Sequence, residues 1–180
     1  EFAAARDGAA AAGDLGRLRD VVNCAASLML VEGRSGEAVR WIERLPPSEP
    51  SAPTAADIES LLLLGRALAA SERQREGLAV LREASEAAAD AGLPLLRARA
   101  GLASAELLLV AANHPEAERA ATLAHELFDS AGEATGAAAA LLVVAISARH
   151  LGDPRRGAET AERVLNRAWA LRDRGLVAQL

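Results

Sequence analysis

The chain alternates short polar turns with runs in which apolar residues recur at helical spacing. Residues 73–91 and 115–131 carry apolar side chains on one face and charged ones on the other, which is typical of amphipathic helices. Residues 55–70 and 94–112 are apolar on most sides, which indicates helices buried between neighbours. The pattern predicts helices at 15–32, 36–46, 55–70, 73–91, 94–112, 115–131, 134–151 and 154–173.

The turns, and the helices that follow them, recur at a nearly constant interval. The stretches EGRSGEAVRWIERL, SERQREGLAVLREA, ANHPEAERAATLAH and GDPRRGAETAERVL each contain a turn, a small residue and an amphipathic helix. The small residues, Ala38, Gly77, Ala117 and Gly157, are 39, 40 and 40 positions apart. We therefore expect a single domain over 1–180 made of repeated helix pairs, with units at about 15–50, 55–92, 94–132 and 134–173.

The segment GRSG at 33–36 resembles a phosphate-binding loop when it is viewed alone. The repeat argues against this interpretation, because the positions equivalent to Gly33 hold Glu72, Ala112 and Gly152. A phosphate loop would not recur in degenerate form along one chain, so the segment is predicted to be a turn. Ser71 and Gln74 have the spacing of a capping box for the next helix.

Composition excludes several classes of function. All 20 basic residues are Arg, so a Walker A lysine and a Schiff-base lysine are both missing from this sequence. The net charge is −5 and the Arg residues are interleaved with acids, so we expect no direct binding to nucleic acid. The apolar run at 136–148 is too short to span a membrane, and the lone Cys24 forms no internal disulfide; we expect a cytoplasmic protein.

No arrangement of residues indicates catalysis. The three His residues lack the spacing of metal ligands, and Ser147 with His150 lacks the orienting acid of a nucleophile pair. We therefore predict no catalytic residue, no metal, no cofactor in this segment and no enzyme activity. Trp41 and Trp169 are expected to be core residues.

The spacing of particular residues resembles the tetratricopeptide repeat (TPR). The second unit carries the bulky, small and bulky positions of that motif at Leu61, Leu64, Gly65 and Leu68, followed by Gly77, Leu81 and Ala84. The resemblance implies an all-α, TPR-like α-α superhelix of antiparallel helix pairs, here with a repeat of about 40 residues.

A longer stretch, AAAGDLGRLRDVVNCAASLMLVEGRSGEAVRWIERLPP, resembles the sensor region of large ATP-binding LuxR-type regulators, the MalT-like family. The matching residues are Gly13, Asp14, Gly33 and Trp41 to Pro46. The resemblance implies a fragment of a larger protein, in which flanking modules bind ATP and DNA while this array senses an inducer or an inhibitory partner. A free-standing interaction scaffold is the alternative, and homodimer formation is left open.

Counting from the TPR motif places six charged or polar residues on the concave face of the array. We predict that they contact a small-molecule effector, a partner protein or a peptide: Glu59, Arg66, Arg99, Glu106, Arg149 and His150. The Lys and Asn residues with which chaperone-binding TPRs hold a peptide carboxylate are missing from these positions, so a chaperone adaptor is not expected.

Overall fold

The computed structural model describes residues 1–47 and 53–171, with side chains as far as residue 167. Regular structure in this part of the chain is helical throughout. The helices are α1 (Phe2–Ala11), α2 (Leu15–Val31), α3 (Ser35–Ile42), α4 (Ala55–Ala70), α5 (Gln74–Asp90), α6 (Pro94–Val110), α7 (His114–Ser130), α8 (Ala134–His150) and α9 (Pro154–Leu171). None of these described helices is both long enough and apolar enough to cross a membrane.

Within the described residues the predicted helices are confirmed, with two corrections at the amino-terminal end. The predicted end of the last helix at residue 173 lies outside those residues. α3 ends at Ile42 and not at residue 46, since a residue that precedes proline disfavours helical backbone and Pro46 follows closely. α1 was not predicted, because its sequence FAAARDGAAA has high helix propensity but little helical periodicity. α1 packs against α2 and buries Ala9 there.

One turn geometry joins α1 to α2, α2 to α3 and each later pair of consecutive helices from α4 to α9. In the turn after α2, the N–H of Gly33 donates to Leu30 O at 3.2 Å and the N–H of Arg34 donates to Met29 O at 2.7 Å. This is the Schellman arrangement, which needs one left-handed residue. Left-handed residues in the seven turns are Gly13, Gly33, Glu72, Gly92, Ala112, Gly132 and Gly152. The prediction that GRSG is a turn is confirmed.

The predicted capping box at Ser71 and Gln74 is wrong. Ser71 is the C-cap residue of α4, and its hydroxyl donates to Ser35 Oγ at 3.0 Å. A left-handed residue and Arg73 separate it from α5, so it lies too early to cap that helix. The structure has a capping box at the start of α4, where the Thr54 N–H donates to the Asp57 carboxylate at 2.9 Å and the Asp57 N–H donates to Thr54 Oγ1 at 3.3 Å.

The structure divides into two compact units, Glu1–Leu96 and the residues from Arg97 onward. In the first unit, α2 packs against α1, α3 and α4, and α4 packs against α3 and α5. Its core is built mainly from Ala, Leu and Val side chains of α1 to α4: Ala9, Leu18, Val22, Ala25, Ala26, Met29, Ala38, Val39, Ile42, Leu63, Ala67 and Leu68.

In the second unit, α8 lies between α7 and α9 and packs against both. α8 is buried on most sides, in agreement with its almost uniformly apolar sequence. His125 of α7 has its Nδ1 atom 3.1 Å from Ala137 O on α8. Arg167 of α9 donates to the carboxylate of Asp129 on α7, and this hydrogen bond holds the pKa of Asp129 below its ordinary value.

The small residues of the repeat lie where two helices approach closely. A Cβ atom added at Gly77 on α5 would lie 2.7 Å from Gly65 O and 3.0 Å from Ala69 N, both on α4. A Cβ atom at Gly157 on α9 would lie 3.0 Å from Ala145 O on α8. The period seen in the sequence therefore marks the positions at which the second helix of a pair contacts the backbone of the first.

Candidate functional site

The six predicted binding residues lie on the first helices of successive pairs. Glu59 and Arg66 are on α4, Arg99 and Glu106 are on α6, and Arg149 and His150 end α8. All are exposed except Glu59, which is half-buried. A role in binding stays a prediction for all six. Glu59 and Arg66 belong to the first unit, and the other four belong to the second.

Arg66 and Arg149 differ from the other predicted residues in their surroundings. Neither guanidinium forms an ion pair or hydrogen bond with any residue in the described part of the chain. Both side chains are exposed. Arg66 in the first unit and Arg149 in the second are therefore the predicted residues best able to meet a carboxylate of a partner.

His150 has a neighbour that the sequence did not indicate. Its ring stacks on that of His114, with the centroids 4.3 Å apart and the planes 4° from parallel. The in-plane lone pairs of two parallel rings do not converge on one point, so this pair is unsuited to chelating a metal. The described residues contain no group of three or more His, Cys, Asp or Glu that could hold a metal ion. Ser147 is fully buried on α8, whereas His150 is exposed.

A buried ion pair joins α2 to α4 in the first unit. Arg19 Nε lies 2.5 Å from Asp57 Oδ1, and both side chains are about nine-tenths buried. Arg19 Nη2 also donates to Pro46 O at 2.7 Å, which fixes the chain after α3. Since Asp57 caps α4 as well, its carboxylate links the start of α4 to Arg19 near the start of α2, and Arg19 in turn binds the segment beyond α3.

Two more polar side chains extend this network. Asn23 Nδ2 donates to Ala56 O at 3.0 Å, and Ser60 Oγ donates to Asn23 Oδ1 at 2.8 Å. These residues were not among those predicted from the sequence. A usable signal exists in the sequence: Arg19 and Asn23 are polar residues four apart on one helix face, and Asp57 and Ser60 are three apart within an apolar run.

A cavity of about 400 Å³ opens beside the buried ion pair. Its volume lies in the range of small-ligand sites. Its lining is apolar apart from Arg19, Asp57, Ser60 and Glu83, and its apolar members include Ile42, Leu45, Leu61, Leu64 and Ala87. Pro47 and Pro53, which border residues 48–52, complete it. The charges of Arg19 and Asp57 offset each other, so Glu83 is the remaining charged group of the lining.

Trp41 is half-buried and packs against the core of the first unit, in partial agreement with its predicted core role. The guanidinium of Arg6 lies over its indole, 4.7 Å from the ring centroid, in a cation–π contact between α1 and α3. The prediction for the Trp169 side chain falls outside the described side chains.

A solved structure is similar to this one. The crystal structure of the apo form of RapI superposes with a TM-score of 0.77, over 86% of this chain and 57% of RapI, at 11% sequence identity. RapI is a TPR-like helical-repeat protein. This chain therefore has an all-α, TPR-like helical-repeat fold. At this identity the likeness shows the fold alone, and the chain spans only 57% of the length of RapI. No protein-family model matches the sequence, and no curated protein matches it.

Proposed function

We propose that this chain is a non-catalytic, TPR-like sensor and interaction domain, and that a partner protein or effector binds to the exposed face of its first helices. The observation that carries this proposal is the fold itself. In a TPR-like helix pair the second helix packs closely on the first, as α5 does on α4 at Gly77. The opposite face of the first helix then stays available to a ligand.

The charges on that face favour a partner that presents carboxylates. Arg66 is exposed and unpaired within the described residues, and so is Arg149. An Arg guanidinium binds a carboxylate through two parallel hydrogen bonds, which gives orientation as well as attraction. The proposal is therefore a partner with acidic residues that contacts Arg66 in the first unit; Arg149 offers a contact of the same kind in the second unit, taken by itself.

We further propose that the domain works in the cytoplasm as the sensor arm of a LuxR-type, MalT-like regulator. The support is the resemblance of the stretch from Gly13 to Pro46. An effector would then act by favouring one of two arrangements of the array, and that choice would be passed to flanking ATPase and DNA-binding modules. The second candidate is a free-standing scaffold. It is favoured because the similar solved structure is a helical-repeat protein, and the similarity includes no feature specific to LuxR-type regulators.

The first test reads the gene on both sides of this segment and then uses whatever flanking modules it encodes. A Walker A loop upstream and a helix-turn-helix downstream would support the regulator. Stop codons close on both sides would overturn the regulator and leave the scaffold.

The second test measures binding of the separately expressed flanking modules to this chain by calorimetry. We expect Arg66→Glu to weaken binding about tenfold or more, since a charge-assisted contact is replaced by repulsion. Arg75→Glu is the matched control, because Arg75 is exposed on α5, a second helix. Equal losses of affinity in both variants would show a general charge effect and would refute the assignment of the binding site to the exposed face of the first helices.

A further inference from the structure

A second cavity, of about 260 Å³, lies among α1, α2 and α3 of the first unit; we call it the Trp41 cavity. Its floor is apolar: Leu18 and Val22 belong to the core of the unit, Leu45 packs against that core, and the exposed Ala10 completes the apolar lining. The indole of Trp41 forms one wall. An apolar pocket with a flat aromatic wall suits a compact hydrocarbon group.

The polar part of the Trp41 cavity is entirely cationic. Arg6 and Arg44 line it, and none of its lining residues is acidic. Arg6 is balanced in part by its neighbour Asp7, whose Oδ1 lies 2.6 Å from Arg6 Nη2. Arg44 forms no ion pair with any side chain that the structure describes. The cavity therefore carries an unbalanced positive charge beside an apolar floor.

We propose that the Trp41 cavity binds a small monocarboxylate with an apolar body. At about 30 Å³ for each water-sized group, its volume holds about nine non-hydrogen atoms, the size of a seven-carbon acid. The carboxylate meets Arg44 at the exposed rim, where a guanidinium offers paired donors. The hydrocarbon body lies on the floor beside Trp41, which removes apolar surface from water.

The arrangement also explains the position of Arg6. Its cation–π contact holds the guanidinium against Trp41, 4.7 Å from the ring centroid. Because the Arg6 side chain is already ordered in the free protein, this second positive group loses little conformational entropy when a ligand binds. This site is separate from the proposed contacts of Arg66 and Arg149, since it is formed by α1, α2, α3 and the residues that follow α3.

The test uses Trp41 as the reporter. The sequence has two Trp residues, so Trp169→Phe in the full chain leaves Trp41 as the single indole. Its fluorescence is followed during titration with cyclohexanecarboxylate and, separately, with cyclohexanecarboxamide, which has the same shape and no charge. We expect a saturable change with the acid, in the millimolar range or below, and binding of the amide at least about tenfold weaker.

Three further variants test whether Arg44 is the residue that binds the carboxylate. Arg44→Gln is expected to weaken binding of the acid about tenfold, and Arg44→Lys to restore part of it. Arg40→Gln is the matched control, since Arg40 is exposed on α3, four residues before Arg44, and does not line the cavity. The proposal is overturned if no saturable change occurs, if acid and amide bind equally, if Arg44→Gln is without effect in a chain whose circular dichroism is unchanged, or if Arg40→Gln costs as much.

Discussion

Replacing Gly77 with Ala tests how closely α5 approaches α4. The new Cβ atom would lie 2.7 Å from Gly65 O, which is 0.7 Å inside the 3.4 Å at which ordinary contacts begin. Its second neighbour, Ala69 N at 3.0 Å, is also backbone. Neither atom can move without moving α4, so the two helices must separate.

The magnitude follows from two opposing effects. Ala is favoured over Gly within a helix by about 1 kcal/mol. Forcing extra volume into a close contact costs about 1–3 kcal/mol, and the upper part of that range applies because backbone is on the other side. We therefore expect the free energy of unfolding to fall by about 1–2 kcal/mol, which lowers the melting temperature by about 4–15 °C for a unit of this size.

Thermal unfolding followed by far-UV circular dichroism measures this change, with two Gly→Ala controls. A Cβ atom at Gly101 in α6 would lie 3.6 Å from Ala124 Cβ, an ordinary contact, and at Gly8 in α1 nothing lies within 4 Å. Both controls should keep or raise the melting temperature, and Gly8 lies in the same unit as Gly77. If Gly77→Ala is as stable as these two, the close approach of α4 and α5 described here is incorrect.

Three other changes test separate features. Ala112→Gly should raise the free energy of unfolding by about 0.5–1 kcal/mol, since Ala112 has a φ of 57° that Gly adopts without strain; urea unfolding measures it, and a loss of stability would contradict the turn geometry. Asp57→Asn should lower that free energy by about 3 kcal/mol or more, because it removes the carboxylate charge that lies against the buried Arg19; the same urea series would refute this with a loss below about 1 kcal/mol. Asp129→Asn should lower the melting temperature near neutral pH, because the folded protein holds the pKa of Asp129 below its ordinary value and so gains stability from the ionised carboxylate. This stability is present above the ordinary Asp pKa of about 3.9, and it is lost as the pH falls through the lower pKa of the folded state. A scan of melting temperature against pH should therefore show the difference from the unmodified chain shrinking in acid, while Glu126→Gln, exposed on the same helix, shows a smaller difference.

The repeat in the sequence predicted most of the fold because the repeated residues are ones that the local backbone geometry requires. Gly77 and Gly157 are small where a second helix contacts backbone, and Gly33 and Gly152 occupy turns that need a left-handed residue. Such requirements depend on a few neighbouring residues, so a single sequence displays them. The absence of periodicity in α1 left no comparable signal.

The side-chain partnerships were harder to predict, because they join residues that are distant in the sequence. Arg19 and Asp57 are 38 positions apart, and His114 and His150 are 36 apart. Each pair forms between neighbouring helix pairs, where the relative rotation of two helices decides which side chains meet. The spacing of apolar residues fixes the buried face of a helix but leaves that rotation undetermined.

The shared geometry of the seven turns also bears on how such a chain changes length in evolution. Each of these turns has the same backbone hydrogen bonds, so the chain leaves one helix and enters the next in the same local way at all seven of them. A genetic deletion or duplication that starts in one turn and ends at the equivalent place in another rebuilds the same joint. The gene can thus gain or lose a whole helix pair in one recombination event, without inventing a new loop.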